Sequence, residues 1–188
     1  MDEAIGKIIN KNPWLPPEPI PDDSFLFRLV PVRQTDKIGK TRFPKESHFV
    51  LREGEEGLSI NWDKYIDHAG TLILQGLRFS YGTENYIDPT AYLVYKLSAK
   101  FLKENKSEKN LKHDPEYHGN PSPIGKPNNR SHSLFCYTND DLALRVILSD
   151  YCQGNDSRCY LKNFKEINAE LEGLKQRLND TPYHKDWA

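Results

Sequence analysis

Ser24-Phe25-Leu26-Phe27-Arg28-Leu29-Val30-Pro31-Val32 decides the class of the fold. The run is dense in aromatic and β-branched residues, which suit a pleated surface better than a helix. Alternation places Phe25, Phe27 and Leu29 on one face and Leu26, Arg28 and Val30 on the other. Arg28 therefore shares a mostly apolar face. A guanidinium in such a place needs an anion or several carbonyls around it, which makes Arg28 either a structural ion-pair member or an anion binder.

On the C-terminal side, residues 33–45 are basic and loop-like. Residues 47–52 read as a second strand, and Glu53-Gly54-Glu55-Glu56-Gly57 as a turn. Leu58-Ser59-Ile60-Asn61-Trp62 is a third strand, with Leu58, Ile60 and Trp62 pointing inward and Ser59 and Asn61 outward. The second and third strands are expected to form a hairpin. Residues 65–78 carry a helix, or a strand over 71–77. Asp88-Pro89 supplies a cap and a first-turn proline for a helix to residue 104, whose Tyr92, Leu93, Val94, Leu97 and Phe101 form an apolar stripe. Residues 131–137 read as a strand. Thr138-Asn139-Asp140-Asp141 caps a helix over residues 142–151.

Strand signals early and helix signals late predict an α+β fold: a small mixed or antiparallel sheet with flanking helices and a long C-terminal amphipathic helix. That last helix, residues 161–178, repeats Leu161, Phe164, Ile167, Leu171, Leu174 and Leu178 at threes and fours. The domain plan is a Pro-rich arm (1–23), an α+β domain (24–158), and the C-terminal helix and tail (159–188). Five prolines in residues 13–21 forbid helix in the arm. Trp14, Leu15 and Ile20 give that arm apolar groups, for a strap across its own domain or a grip on a partner.

The chain has 188 residues, a formal charge of -1 and 28% charged residues, so no global field recruits nucleic acid, and nucleic-acid contact is expected to be local at most. No run of apolar residues is long enough for a membrane span, and the acidic start is no signal peptide. Three cysteines are too few for a disulfide framework. A cytoplasmic location follows as the expectation.

The candidate chemistry lies at His113-Asp114-Pro115 and Arg130-Ser131-His132-Ser133, which flank a loop rich in Pro, Gly and Asn. His113 and His132 could act as an acid–base pair with Asp114 as orienter, because imidazole titrates near neutral pH. Pro115 biases Asp114 out of the helical conformation that His-Asp metal phosphohydrolases use. A His-x-Ser/Thr phosphoesterase pattern is absent, and the helix after Asp141 carries no His or Asn for a ββα-metal nuclease. On one strand His132 and Cys136 would stand about 13 Å apart, too far for a shared zinc ion. No metal and no cofactor are expected. Arg28, Ser59 and Glu84 stand in the order of an ADP-ribosyltransferase triad.

Leu26-Phe27-Arg28, Phe49, Gly57-Leu58-Ser59-Ile60-Asn61-Trp62, His113-Asp114-Pro115 and Asn129-Arg130-Ser131-His132-Ser133 together resemble a group of small uncharacterised bacterial proteins. The resemblance spans residues 25–137. It implies bacterial origin and a multi-gene locus, including mobile or defence loci, with no activity attached.

Two functions are expected. One is an accessory subunit of a bacterial multiprotein system, such as antiphage defence. It would dock on another protein subunit, or dimerise, through Trp14, Leu15 and the helix face of Leu161, Phe164, Leu171, Leu174 and Leu178. The other is a small enzyme using His113, Asp114, His132, Arg28 and Ser59 on a phosphate- or nucleotide-containing substrate, as a hydrolase or an NAD-using toxin.

Overall fold

The computed structural model describes residues 17–32, 44–66, 91–116, 129, 131–153 and 159–163. Strands β1 (Phe25–Val32), β2 (Leu58–Trp62), β3 (Ala91–Ser98), β4 (Leu111–His113), β5 (His132–Phe135) and β6 (Cys159–Asn163) form one sheet. Their order is β4-β5-β2-β1-β3-β6, and every neighbouring pair is antiparallel. Helices α1 (Ala99–Asn105) and α2 (Leu142–Cys152) complete an α+β fold.

β1 lies near the middle of the sheet, as its two apolar faces require. Its register sets Leu26 against Trp62 and Leu97, and Arg28 against Tyr95. Leu26, Leu58, Ile60, Tyr95, Leu97 and Phe135 are all fully buried on that face. Leu102 of α1 and Leu144, Leu148 and Cys152 of α2 close over it. Removing such side chains from water is the main stabilising term of the fold. The inward set expected for β2 is the observed one.

The expected helix over residues 89–104 is corrected to β3 followed by the short α1. Leu93, Tyr95 and Leu97 face the core while Val94 on the opposite face is equally buried. With both faces covered, the two-residue alternation is blurred and the run resembles a helical stripe. Ser98 marks the switch, its hydroxyl accepting from the Phe101 N–H at 3.4 Å as the cap of α1.

The expected strand at residues 47–52 is a 3-10 turn, Glu46–Phe49, with an extended exit, so no hairpin forms with β2. The backbone there is satisfied by side chains instead. Asn139 Oδ1 accepts from the Leu51 N–H at 2.8 Å, and Asn139 Nδ2 donates to the Leu51 carbonyl at 2.9 Å. The Tyr137 hydroxyl donates to the Phe49 carbonyl. β2 pairs with β1 and β5. Gly57 lets β2 enter against β5, since a Cβ there would meet the Phe135 carbonyl oxygen at 2.9 Å.

The strand over 131–137 is β5, and the helix over 142–151 is α2, capped by Asp141 accepting from the Leu144 N–H at 3.1 Å. At the other end, Leu161 belongs to β6, opposite Leu93 of β3, and not to a helix. The rest of the expected C-terminal helix lies outside the described residues, as does the run 67–90. The end of the Pro-rich arm is a strap. Ile20 is buried, Lys103 Nζ donates to its carbonyl at 2.6 Å, and Glu18 receives Tyr65 and Lys64.

Candidate functional site

The β2–β5 register places Asn61 opposite His132 and Ser59 opposite Leu134. All three polar side chains therefore stand on the sheet face away from the helices. His132 Nδ1 lies 2.6 Å from the Asp114 carbonyl oxygen, and its Nε2 lies 3.0 Å from Ser59 Oγ. A carbonyl can only accept, so Nδ1 carries the proton and Nε2 of the neutral ring is the acceptor for the Ser59 hydroxyl. The Asp114 and Glu116 carboxylates lie 3.5 Å and 3.7 Å from the same ring. His132 is nearly buried, whereas the Asp114 side chain is more than half exposed.

Backbone pairing holds this geometry. Asp114 donates its N–H to the His132 carbonyl at 3.0 Å, and Glu116 and Asn129 exchange both backbone hydrogen bonds at 2.9 Å. Beneath them, Asn129 Nδ2 donates to Asn61 Oδ1 at 3.0 Å. The Ser131 hydroxyl lies 2.6 Å from Asn129 Oδ1 and 3.0 Å from Asn61 Oδ1, with one proton to offer the two. Asn61 is thus engaged through its oxygen, which turns its amide nitrogen away from these donors.

Of the five candidates in the sequence, the structure brings together Ser59, Asp114 and His132. It separates the other two. His113 lies opposite Ser133, so its ring is on the core face, stacked on Tyr65 at 5.4 Å and edge-on to Trp62 at 5.2 Å. Its Nδ1 accepts the Glu18 N–H at 3.3 Å. The expected His113–His132 pair does not form.

Arg28 is also on the core face, where Nη1 donates to the Ser59 carbonyl at 3.0 Å. Burial pulls its pKa below the ordinary guanidinium value. Of the ADP-ribosyltransferase set, Arg28 and Ser59 meet only through that carbonyl, and Glu84 lies outside the described residues. Trp14, Leu15, Phe164, Leu171, Leu174 and Leu178 lie outside them too.

Sequence reasoning missed Glu116, Asn61 and Asn129. Alternation from Asp114 puts Glu116 on its face, which is the one signal that could have found it. Two other nucleophiles on β5 and beside it are subdued. Ser133 is fully buried and donates to the Ser131 carbonyl at 3.2 Å. Burial pushes the Cys136 thiol above its ordinary value, which keeps it protonated and weakly nucleophilic at neutral pH.

Among the described residues no three His, Cys, Asp or Glu side chains converge to hold a metal ion. Nor is any helix among them long and apolar enough to cross a membrane. No protein-family model, curated relative or solved structure matches the chain.

Proposed function

We propose that the chain is a small cytoplasmic hydrolase in which His132 acts as general base on the Ser59 hydroxyl. The observation that carries this reading is the Ser59 Oγ–His132 Nε2–His132 Nδ1–Asp114 carbonyl relay, at 3.0 Å and 2.6 Å. A serine needs an adjacent base to attack at neutral pH, and the base needs a third group to fix its tautomer. Ser59 Oγ attacks the ester carbonyl carbon as its proton passes to Nε2. The imidazolium so formed, stabilised by the Asp114 carbonyl and the two carboxylates, gives that proton to the departing alcohol. A water deprotonated by Nε2 then cleaves the acyl-serine, releasing the acid and restoring the Ser59 hydroxyl. Asn61, about 7 Å along the same strand face, supplies an amide N–H for charge developing on the substrate oxygen.

The substrate class follows from the charges. Two carboxylates within 4 Å of the imidazole oppose a phosphate dianion at Ser59, whereas an uncharged ester or amide carbonyl meets no such repulsion. Hydrolysis of p-nitrophenyl acetate by the full chain tests the reading. Turnover should fall by about 10²–10⁴-fold in His132→Ala. Equal rates in wild type and Ser59→Ala would overturn it.

A second reading is favoured by α2. Leu142, Val146 and Ile147, at 53%, 42% and 40% exposure, give this helix an apolar outer side beyond the core face of Leu144 and Leu148. Such a side suits an accessory subunit of a bacterial multiprotein system, including antiphage defence, docked on another protein chain.

A further inference from the structure

Asn129 is almost fully buried, and both its backbone and its side chain bear on the serine–histidine pair. The backbone carbonyl accepts the Glu116 N–H at 2.9 Å and the His132 N–H at 3.4 Å, which ties the base to the carboxylate beside it. The side chain settles the orientation of Asn61. The oxygen and nitrogen of an amide are told apart by their partners, and here the chain of partners starts at a group with no freedom. The Ser131 backbone N–H can only donate, and it lies 3.1 Å from one end of the Asn129 amide, so that end is Oδ1. Nδ2 is then the end that faces Asn61, at 3.0 Å. Because Nδ2 also only donates, the facing atom of Asn61 is Oδ1, and the Ser131 hydroxyl at 3.0 Å meets the same oxygen.

The Asn61 amide nitrogen is left over. It meets no acceptor among the described residues, yet it is not a sealed donor of the core as the indole N–H of Trp62 is. Asn61 is half-buried and shares the sheet face of Ser59 and His132. An untethered amide would turn freely and offer its oxygen as readily as its nitrogen. Only the nitrogen favours an oxyanion, and a donor already fixed in place needs no reorganisation when the charge develops.

We propose that Asn129 is a positioning residue for ester hydrolysis: its Nδ2–Asn61 Oδ1 hydrogen bond holds the Asn61 N–H donors outward for the substrate oxygen. This role rests on the serine–histidine reading given above. It makes the sense of one hydrogen bond decisive. Asn129→Asp keeps the acceptor for the Ser131 N–H, nearly preserves shape, and puts an oxygen where the Nδ2 donor was. The Asn61 amide must then turn over to give its nitrogen to the new carboxylate, and its oxygen is what the substrate meets.

The test uses the full chain and two readouts. Side-chain amide hydrogen exchange, followed by NMR, should be slow at Asn129 and fast at Asn61 in wild type, and slow at Asn61 in Asn129→Asp. With p-nitrophenyl acetate, kcat of Asn129→Asp should fall by about 10²–10³-fold with KM little changed. The comparison is made on the plateau of each pH profile, where a shift of the His132 titration by the added charge does not enter. A bracing role alone would lower the melting temperature and leave kcat per folded molecule unchanged. Protected Asn61 amide protons in wild type would overturn the proposal whether or not Asn129→Asp folds. Unchanged kcat in the folded variant, with Ser59→Ala inactive, would overturn it and leave the hydrolase reading standing. Equal turnover in wild type and Ser59→Ala would remove that reading, and this role with it.

Discussion

His113 and His132 stand on opposite faces of the sheet although their strands are directly paired, because His113 is in register with Ser133 and His132 is one residue away. One residue of offset in a pleated strand reverses the side. The two imidazoles therefore do different work. His113 locks the arm to the core through Tyr65, Trp62 and the Glu18 N–H, while His132 meets the Ser59 hydroxyl.

This division gives opposed outcomes for two alanine variants. His113→Ala loses a buried ring and an anchor for the arm, and should destabilise the fold by about 2–3 kcal/mol with turnover unchanged. His132→Ala should cut turnover by about 10²–10⁴-fold with a smaller loss of stability. Denaturant unfolding and the ester assay on both proteins check it.

Gly57 is fixed by the close approach of β5. Gly57→Ala brings a Cβ to 2.9 Å from the Phe135 carbonyl oxygen and 3.1 Å from the Cys136 Cα, both backbone atoms. The strands must part, at a cost of about 1–3 kcal/mol. Gly54→Ala, by contrast, meets nothing within 4 Å but sits at φ 82°, so its cost is conformational.

The cap of α2 makes stability depend on acid. The hydrogen bond from Lys106 and then that from the Leu144 N–H hold the Asp141 carboxyl below its ordinary value of 3.8. A lowered folded value means the stabilisation is complete above the unfolded value and is lost as pH falls through the folded one. Asp141→Ala should cost about 1 kcal/mol at pH 7, and the difference from wild type should begin to shrink as pH falls below 3.8 and be lost only below the lower folded value, where the carboxyl takes its proton. Melts of the two proteins from pH 7 downward read this directly.

On the outer side of α2, Val146→Asp with Ile147→Asp should leave the melting temperature nearly unchanged, since both side chains are already exposed. If this helix docks a partner chain, the pair of changes removes a stoichiometric complex from pull-downs in the native host. A complex unaffected by them would place the docking surface elsewhere.

Much of the sheet was legible locally. Leu58, Ile60 and Trp62 alternate with polar residues because β2 has one wet face, and Asp141 before Leu142 announces α2. β3 was not, because Val94 and Tyr95 are both buried and erase the alternation that marks a strand. Ser59 and His132 were each visible as candidates, but their contact depends on β2 pairing with β5 across an intervening β3 and β4. That is a long-range register that no local pattern encodes. The loss of the His113–His132 pair has the same origin.

The most direct measurement is covalent labelling with a fluorophosphonate ester, an uncharged serine-directed probe, followed by mass-spectrometric mapping of the modified residue. Modification of Ser59 in wild type, abolished in His132→Ala and retained in His113→Ala, is the expected result. Failure of Ser59 to react in the folded wild-type chain, or equal labelling in His132→Ala, would contradict the account and leave His132 as a brace between β5 and Asp114.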